Sequence, residues 1–277
     1  MKFAKKMAAF GAAVLAVCLM LTSCSSNREE TGVANEKNMS IASAEDLAGK
    51  AVAVQLRSAA DDYVVSHSLT DYPKRYENLE NAVQDLMDKK VAAVVADSHY
   101  AQKLVADKEG IEIVKGSIGS IDYRFLLSKS AEVPVDDMNA QITALKASDS
   151  YSEMIESELV KGETYAFGKD DQVLDKTLLL VSEPYFKPYA YESENGGLQG
   201  FFVTAADAVA YGCQCNLTVS SVKAGEVNAG EVNAALAGDS NAFCVVHEET
   251  DDEAYITTEP FYTSELVMII RTPEKKK

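Results

Sequence analysis

His67, His99 and His247 lie far apart in this 277-residue chain, and no His-Glu-x-x-His spacing sets two metal ligands on one helix face. No Gly-x-Ser-x-Gly elbow and no phosphate-cradling glycine loop occurs. Beyond Cys18 and Cys24 the cysteines are Cys213, Cys215 and Cys244, an odd set that cannot all pair internally. Cys213-Gln-Cys215 also lacks the Cys-x-x-Cys spacing common in zinc sites, so these three read as small apolar core fillers. Neither catalysis nor a metal or cofactor is expected. What remains is chemistry for holding a ligand. Asp97 ends the apolar run Val91–Ala96, and His247 ends the run Ala242–Val246. Arg57 and Ser58 stand between a β-rich run and a helical stretch, where free helix-start amides bind anions. Ser58 suits a helix cap, and Arg57 has the planar fork that clamps a carboxylate. Phe186, within Glu183-Pro-Tyr-Phe-Lys-Pro-Tyr189, offers a ring face for stacking or for a cation.

These groups need a scaffold, and the periodicity supplies one. From residue 40, strand-like runs alternate with amphipathic helices, the pattern of an α/β fold with crossover units. Strands are expected at Ala51–Leu56, Arg75–Leu79, Val91–Ala96, Ile111–Ile118 and Tyr123–Ser128. Helices are expected from Ser58 to Val65, at Glu80–Lys89 (burying Ala82, Val83, Leu86 and Met87) and at Ser98–Ala106. A helical pair follows from Pro134, with Met138, Ile142 and Leu145 on one face and Tyr151, Met154, Ile155 and Leu159 in the next segment, and Lys161–Lys176 reads as a linker. The last part predicts strands Leu178–Val181, Leu217–Val222, Ala242–Val246 and Leu266–Ile270, with helices Val203–Tyr211 and Glu226–Leu236.

The N-terminus carries an export pattern: Lys2, Lys5 and Lys6, an apolar run Met7–Leu21, then Leu21-Thr-Ser-Cys24. That run is too short to span roughly 30 Å of hydrocarbon. The net charge of −17 becomes −20 without the first 24 residues, which hold three lysines and no acid. Such a charge argues against nucleic acid and against direct adhesion to anionic lipid.

Two stretches resemble the amino-acid-type extracytoplasmic solute-binding proteins of ABC transporters. Ser43-Ala-Glu-Asp-Leu-Ala-Gly-Lys-Ala-Val-Ala-Val-Gln55 through Asp122-Tyr-Arg-Phe-Leu-Leu-Ser-Lys129 resembles that family's second lobe. Thr177-Leu-Leu-Leu-Val-Ser-Glu-Pro-Tyr-Phe-Lys-Pro-Tyr189, Gly197-Leu-Gln-Gly-Phe-Phe202 and Pro260-Phe-Tyr-Thr-Ser264 resemble its first. The resemblance implies a two-lobed α/β clamp of the type II periplasmic-binding-protein kind, circularly permuted; two fused remnant lobes are the rival. It divides the chain into a lipoprotein signal (1–24, acylated at Cys24), a tether (25–39) and a second-lobe-like part (40–130). Packing helices (131–163), a linker (164–176) and a first-lobe-like part (177–277) follow.

By the same resemblance Asp97 is the partner of a ligand ammonium, and Arg57 with Ser58 occupies the carboxylate turn. Glu183, Phe186 and Tyr189 would line the side-chain end. Two positions depart from the family: Thr204 stands where an acid is usual, and the loop after Ala242–Val246 has lost its carboxylate-binding arginine. That loop reads His247-Glu-Glu-Thr-Asp-Asp-Glu253, and no Lys or Arg occurs between Lys223 and Arg271. The implied protein is a monomeric, lipid-anchored, extracytoplasmic binder that presents a small polar solute, an amino acid or amine, to an ABC permease. A ligand sensor or degenerate clamp is the alternative, and a lyase a third.

Overall fold

The computed structural model describes residues 41–169, 174–184, 187–222, 236, 240–247, 249 and 252–272. The signal and tether, Cys24, Phe186 and, apart from Leu236, the expected helix Glu226–Leu236 lie outside them.

The first half opens with strand β1 (Ala51–Gln55), buried at every position because both faces of the sheet are covered. Helix α1 (Ala59–Ser66) follows, capped as expected by Ser58, whose hydroxyl accepts from the Asp61 N–H. Strand β2 (Tyr72–Tyr76) begins three residues earlier than its sequence pattern suggests. Pro73 lies within it, which an edge strand tolerates, and β2 is the sheet's edge. Helix α2 (Leu79–Met87) is capped by Asn78 and buries Leu79, Ala82, Val83 and Leu86. Met87 is exposed instead of buried, since the stripe at helical spacing starts three residues sooner, at Leu79, and ends at Leu86. Strand β3 (Ala93–Asp97), helix α3 (Ser98–Val105), the short β4 (Ile111–Ile113) and the long β5 (Gly119–Ser128) complete this half.

Helices α4 (Val135–Lys146) and α5 (Asp149–Met154) come next, and the chain then widens into a π-helical stretch, Ile155–Lys161. The second half contains β6 (Lys176–Ser182), a small hairpin of β7 (Tyr191–Glu192) and β8 (Leu198–Gln199), and helix α6 (Phe201–Gly212). Strands β9 (Cys215–Ser221), β10 (Ala242–Val246), β11 (Tyr255–Thr257) and β12 (Tyr262–Arg271) follow.

One ten-stranded sheet unites the halves. The first half is ordered β2-β1-β3-β12-β5 and the second β9-β6-β10-β5-β11, so each takes one strand from the other. Within each half the first three strands are parallel and the donated strand is antiparallel to them. Strands β5 and β12 cross together at the junction, with Tyr262 opposite Tyr123. This is the α/β architecture of a type II clamp, as the sequence led us to expect. Because both halves share one strand order, the sheet looks the same whichever half comes first. A permutation therefore leaves no mark on it.

Gly200 shows how tightly the second half is drawn onto the junction. Its φ is +116°, and a Cβ there would lie 2.7 Å from the Pro188 carbonyl oxygen and 2.8 Å from that of Tyr189. The same two carbonyls accept from the Phe201 and Phe202 N–H groups and so fix the start of α6. Gly200→Ala is expected to destabilise the protein by roughly 1–3 kcal/mol. A lowered midpoint in thermal unfolding checks this, and an unchanged midpoint would contradict it.

Candidate functional site

Asp97 ends β3 and stands where the halves meet, only 2% exposed. The last residue of this buried strand faces the junction, because the chain must turn there into α3. The carboxylate finds hydroxyls. Tyr123 Oη donates to its two oxygens over long distances of 3.4 and 3.5 Å. The Ser264 and Tyr189 hydroxyls lie near enough to favour its charged form, and these two share a hydrogen bond of 3.4 Å. Among the described residues no lysine or arginine pairs with Asp97. Burial raises its pKa above the ordinary carboxylate value; hydroxyl donors and the nearby His247 offset only part of the rise.

Four rings pack together around Tyr123, whose hydroxyl bonds this carboxylate. Tyr123 and Tyr262 come from the crossing strands and stack at 6.1 Å. Tyr189 and Phe202 come from the second half, with centroids 5.1 Å apart. Tyr123 meets Phe202 at 4.8 Å, and Tyr189 lies 6.0 Å from both Tyr123 and Tyr262. All four are buried. Burial pushes the Tyr189 and Tyr262 hydroxyls well above their usual range, so both stay neutral donors.

Of the sequence-predicted residues, then, Asp97 and Tyr189 meet, with His247 close by. His247 sits just past β10 and its Nε2 lies 2.7 Å from Asp62 Oδ2 in the first turn of α1, bridging the halves. The neighbouring Arg124 binds the Thr258 carbonyl oxygen and reaches Asp122 and Glu249. Exchanging His247→Gln and Asp62→Asn singly and together should give a coupling of about 0.2–1 kcal/mol for this half-exposed pair. Chemical denaturation of the wild type, both single variants and the double variant measures it; zero coupling would show that the contact does not help to hold the halves together.

The remaining predicted residues do other work. Arg57 is exposed, with φ +59°, and its N–H donates to Asp61 Oδ2. Asp61 is held in turn by Arg75 at 2.7 Å, so the chain's own carboxylate occupies the helix-start turn where a ligand carboxylate was expected. Ser58 donates to the Gln55 carbonyl oxygen as well as capping α1. Glu183 follows β6, half-buried, and adds to the burial that pushes the Cys244 thiol to about 12. Cys213, Cys215 and Cys244 are all free thiols.

Thr204 lies in the first turn of α6 and donates to Glu158 Oε1 at 2.8 Å. An acid from the π-helical stretch thus stands beside Thr204 in space. Glu158 also accepts from the Tyr165 N–H, while its Oε2 is buried and finds no partner among the described residues. Burial raises its pKa from 4.5. Its stabilising contribution is therefore full below the unfolded value and lost as pH rises through the folded one. Glu158→Gln should match the wild type near pH 4 and exceed it increasingly above that; thermal midpoints across pH 4–8 test the divergence.

Sequence reasoning missed Tyr123, Tyr262, Ser264 and Phe202 as site residues. The alternation of β12 puts Tyr262, Ser264 and Leu266 on the buried face, but only the register with β5 brings Tyr123 to them.

No protein-family model and no curated protein matches the chain. Solved structures similar to it include the BenM effector-binding domain with its effector benzoate (9% identity, 82% of this chain and 85% of that one, TM-score 0.40). The reduced OxyR regulatory domain from Pseudomonas aeruginosa has 9% identity over 83% and 89%, at TM-score 0.40. A phosphate-binding protein of a phosphate ABC transporter from Streptococcus pneumoniae TIGR4 has 11% over 81% and 90%, at 0.46. Ligand and role must be sought in this chain's own residues.

Proposed function

We propose that this protein is a lipid-anchored extracytoplasmic solute-binding protein that captures an amino acid or related amine for an ABC importer, without catalysis of its own. One observation carries the ligand class. Asp97 is a buried carboxylate at the meeting of two halves, bonded by hydroxyls and, among the described residues, unmatched by lysine or arginine. A buried anion is costly unless a cation joins it, so an entering ammonium would supply what the protein leaves out. The export pattern ending at Cys24 supports the location, and the crossing strands support hinged closure around a solute.

A second reading, a sensor or degenerate clamp, draws on the Asp61 carboxylate that fills the turn at the start of α1 and on the acidic His247–Glu253 loop. Calorimetric titration with a panel of amino acids and polyamines separates the two. Selective binding that Asp97→Asn abolishes supports capture of an amine; silence across the panel favours the sensor. Loss of membrane association in Cys24→Ala tests the anchor.

A further inference from the structure

We infer that a second site, apart from Asp97, takes a small zwitterion with an aliphatic body, a free amino acid or a short peptide with free ends. It lies on the flank of the first half, in a cavity of about 720 Å³ between α3, β12 and the loop that follows β4. Cavities of that size hold small molecules. Strand β12 alternates, so Thr263, Glu265 and Val267, which line the cavity, stand on the face opposite Ser264 and the Asp97 cluster.

The charges decide the class of ligand. The Val114 N–H donates to the Met268 carbonyl oxygen and the Ile118 N–H to that of Leu266, so residues 115–117 bulge out beside a single partner, Val267. Gly116, with φ +94°, makes the turn. The bulge brings Lys115 to a cavity that Glu265 also lines. Among the described residues neither side chain forms an ion pair, with the other or with a third group. His99 adds no charge. Its Nδ1 is buried without a partner among the described residues, and burial and the nearby Lys103 lower its pKa, so the ring is neutral at pH 7. Lys103 turns elsewhere, its Nζ 2.5 Å from where a Cβ on Gly162 would stand. Thr263 donates to Asp122, whose charge Arg124 answers. The cavity thus presents one cation and one anion. An anionic ligand would meet Glu265 and a cationic one Lys115, each at a like-charge cost, whereas a zwitterion answers both. Ile113, Ile155 and Val267 give its body an aliphatic surface, and Ser98 and Gln102 offer it hydrogen bonds.

Calorimetric titration of the full chain in detergent tests this with leucine and with the dipeptide Leu-Leu, each beside its N-acetylated and C-amidated forms. Blocking either end should weaken binding about two- to fivefold, the effect of one lost exposed ion pair. Glu265→Gln should weaken binding of the free ligand by as much, without weakening that of the N-acetylated form. Lys115→Gln should act likewise, sparing the C-amidated form. Both positions are exposed, and unchanged thermal midpoints would show that the variants fold. The tighter of leucine and Leu-Leu identifies the source of the zwitterion. Asp97→Asn should leave these differences intact. Should it abolish them, the zwitterion binds at the amine site, and the second site fails while the reading of Asp97 stands. Free and blocked forms binding alike, or no binding of either ligand, would overturn the second site as well.

Discussion

Exchanging Asp97 for asparagine is expected to stabilise the ligand-free protein while reducing amine affinity by a hundredfold or more. Both effects have one cause. In the folded protein the carboxylate is 2% exposed and stabilised only by long hydroxyl bonds and a neighbouring imidazole. Asparagine keeps an acceptor for the Tyr123 and Ser264 hydroxyls and removes the charge. A gain of about 1–2 kcal/mol at pH 7 follows from the relieved desolvation. Asp97 has a raised folded pKa, so its stabilising contribution is complete below the unfolded value of 3.8 and declines as pH rises through the folded one. The variant's advantage should therefore be absent near pH 3.5 and grow towards neutrality. The binding loss reflects the other half of the same balance, since truncating one member of a buried charge pair costs about 2–5 kcal/mol. Thermal midpoints measured with and without amine separate the two. A variant less stable than wild type at pH 7 would mean that the carboxylate is a structural keystone, not a site held open for a cation.

Much of this arrangement was legible in the residues. The runs Ala51–Gln55 and Ala93–Asp97 are apolar on both faces, which only a covered parallel strand requires, and each was found within a residue or two of its expected place. Asp97 stood out because a lone acid closes such a run. Local pattern could not show which strands lie beside which. β5 and β12 are separated by more than a hundred residues, so the pairing of Tyr123 with Tyr262 is a tertiary fact. The same holds for Thr204 and Glu158, and for His247 and Asp62. Arg57 misled for a different reason. Its side-chain chemistry suits a carboxylate, but its left-handed backbone turns the N–H towards Asp61, and Asp61 satisfies the turn from within the chain.

Phe125→Ala is expected to give the largest loss of stability, about 3–5 kcal/mol, in a single transition. Phe125 is fully buried on β5 at the point where that strand leaves one half for the other. Its ring stacks on Phe261 at 4.3 Å and meets Phe243 edge-on at 5.2 Å. Its N–H donates to Thr258 Oγ1 and its carbonyl accepts from the Thr258 N–H. Those backbone bonds hold the strand in place, so the surrounding rings cannot collapse fully into the space the side chain leaves. Phe125→Leu, which refills part of the space, should lose about half as much. The cavity would lie beneath Phe261, which also contacts Phe202 at 5.7 Å, so the packing of Phe202 on Tyr123, the tyrosine that bonds Asp97, should loosen with it. Weaker amine binding should therefore accompany the lower midpoint, with Asp97 still required. Calorimetry decides whether the damage is shared. Because each half depends on a strand of the other, one transition shifted as a whole is the expected trace. Two transitions, one at the wild-type temperature, would show that the crossing strands join the halves without coupling their stability.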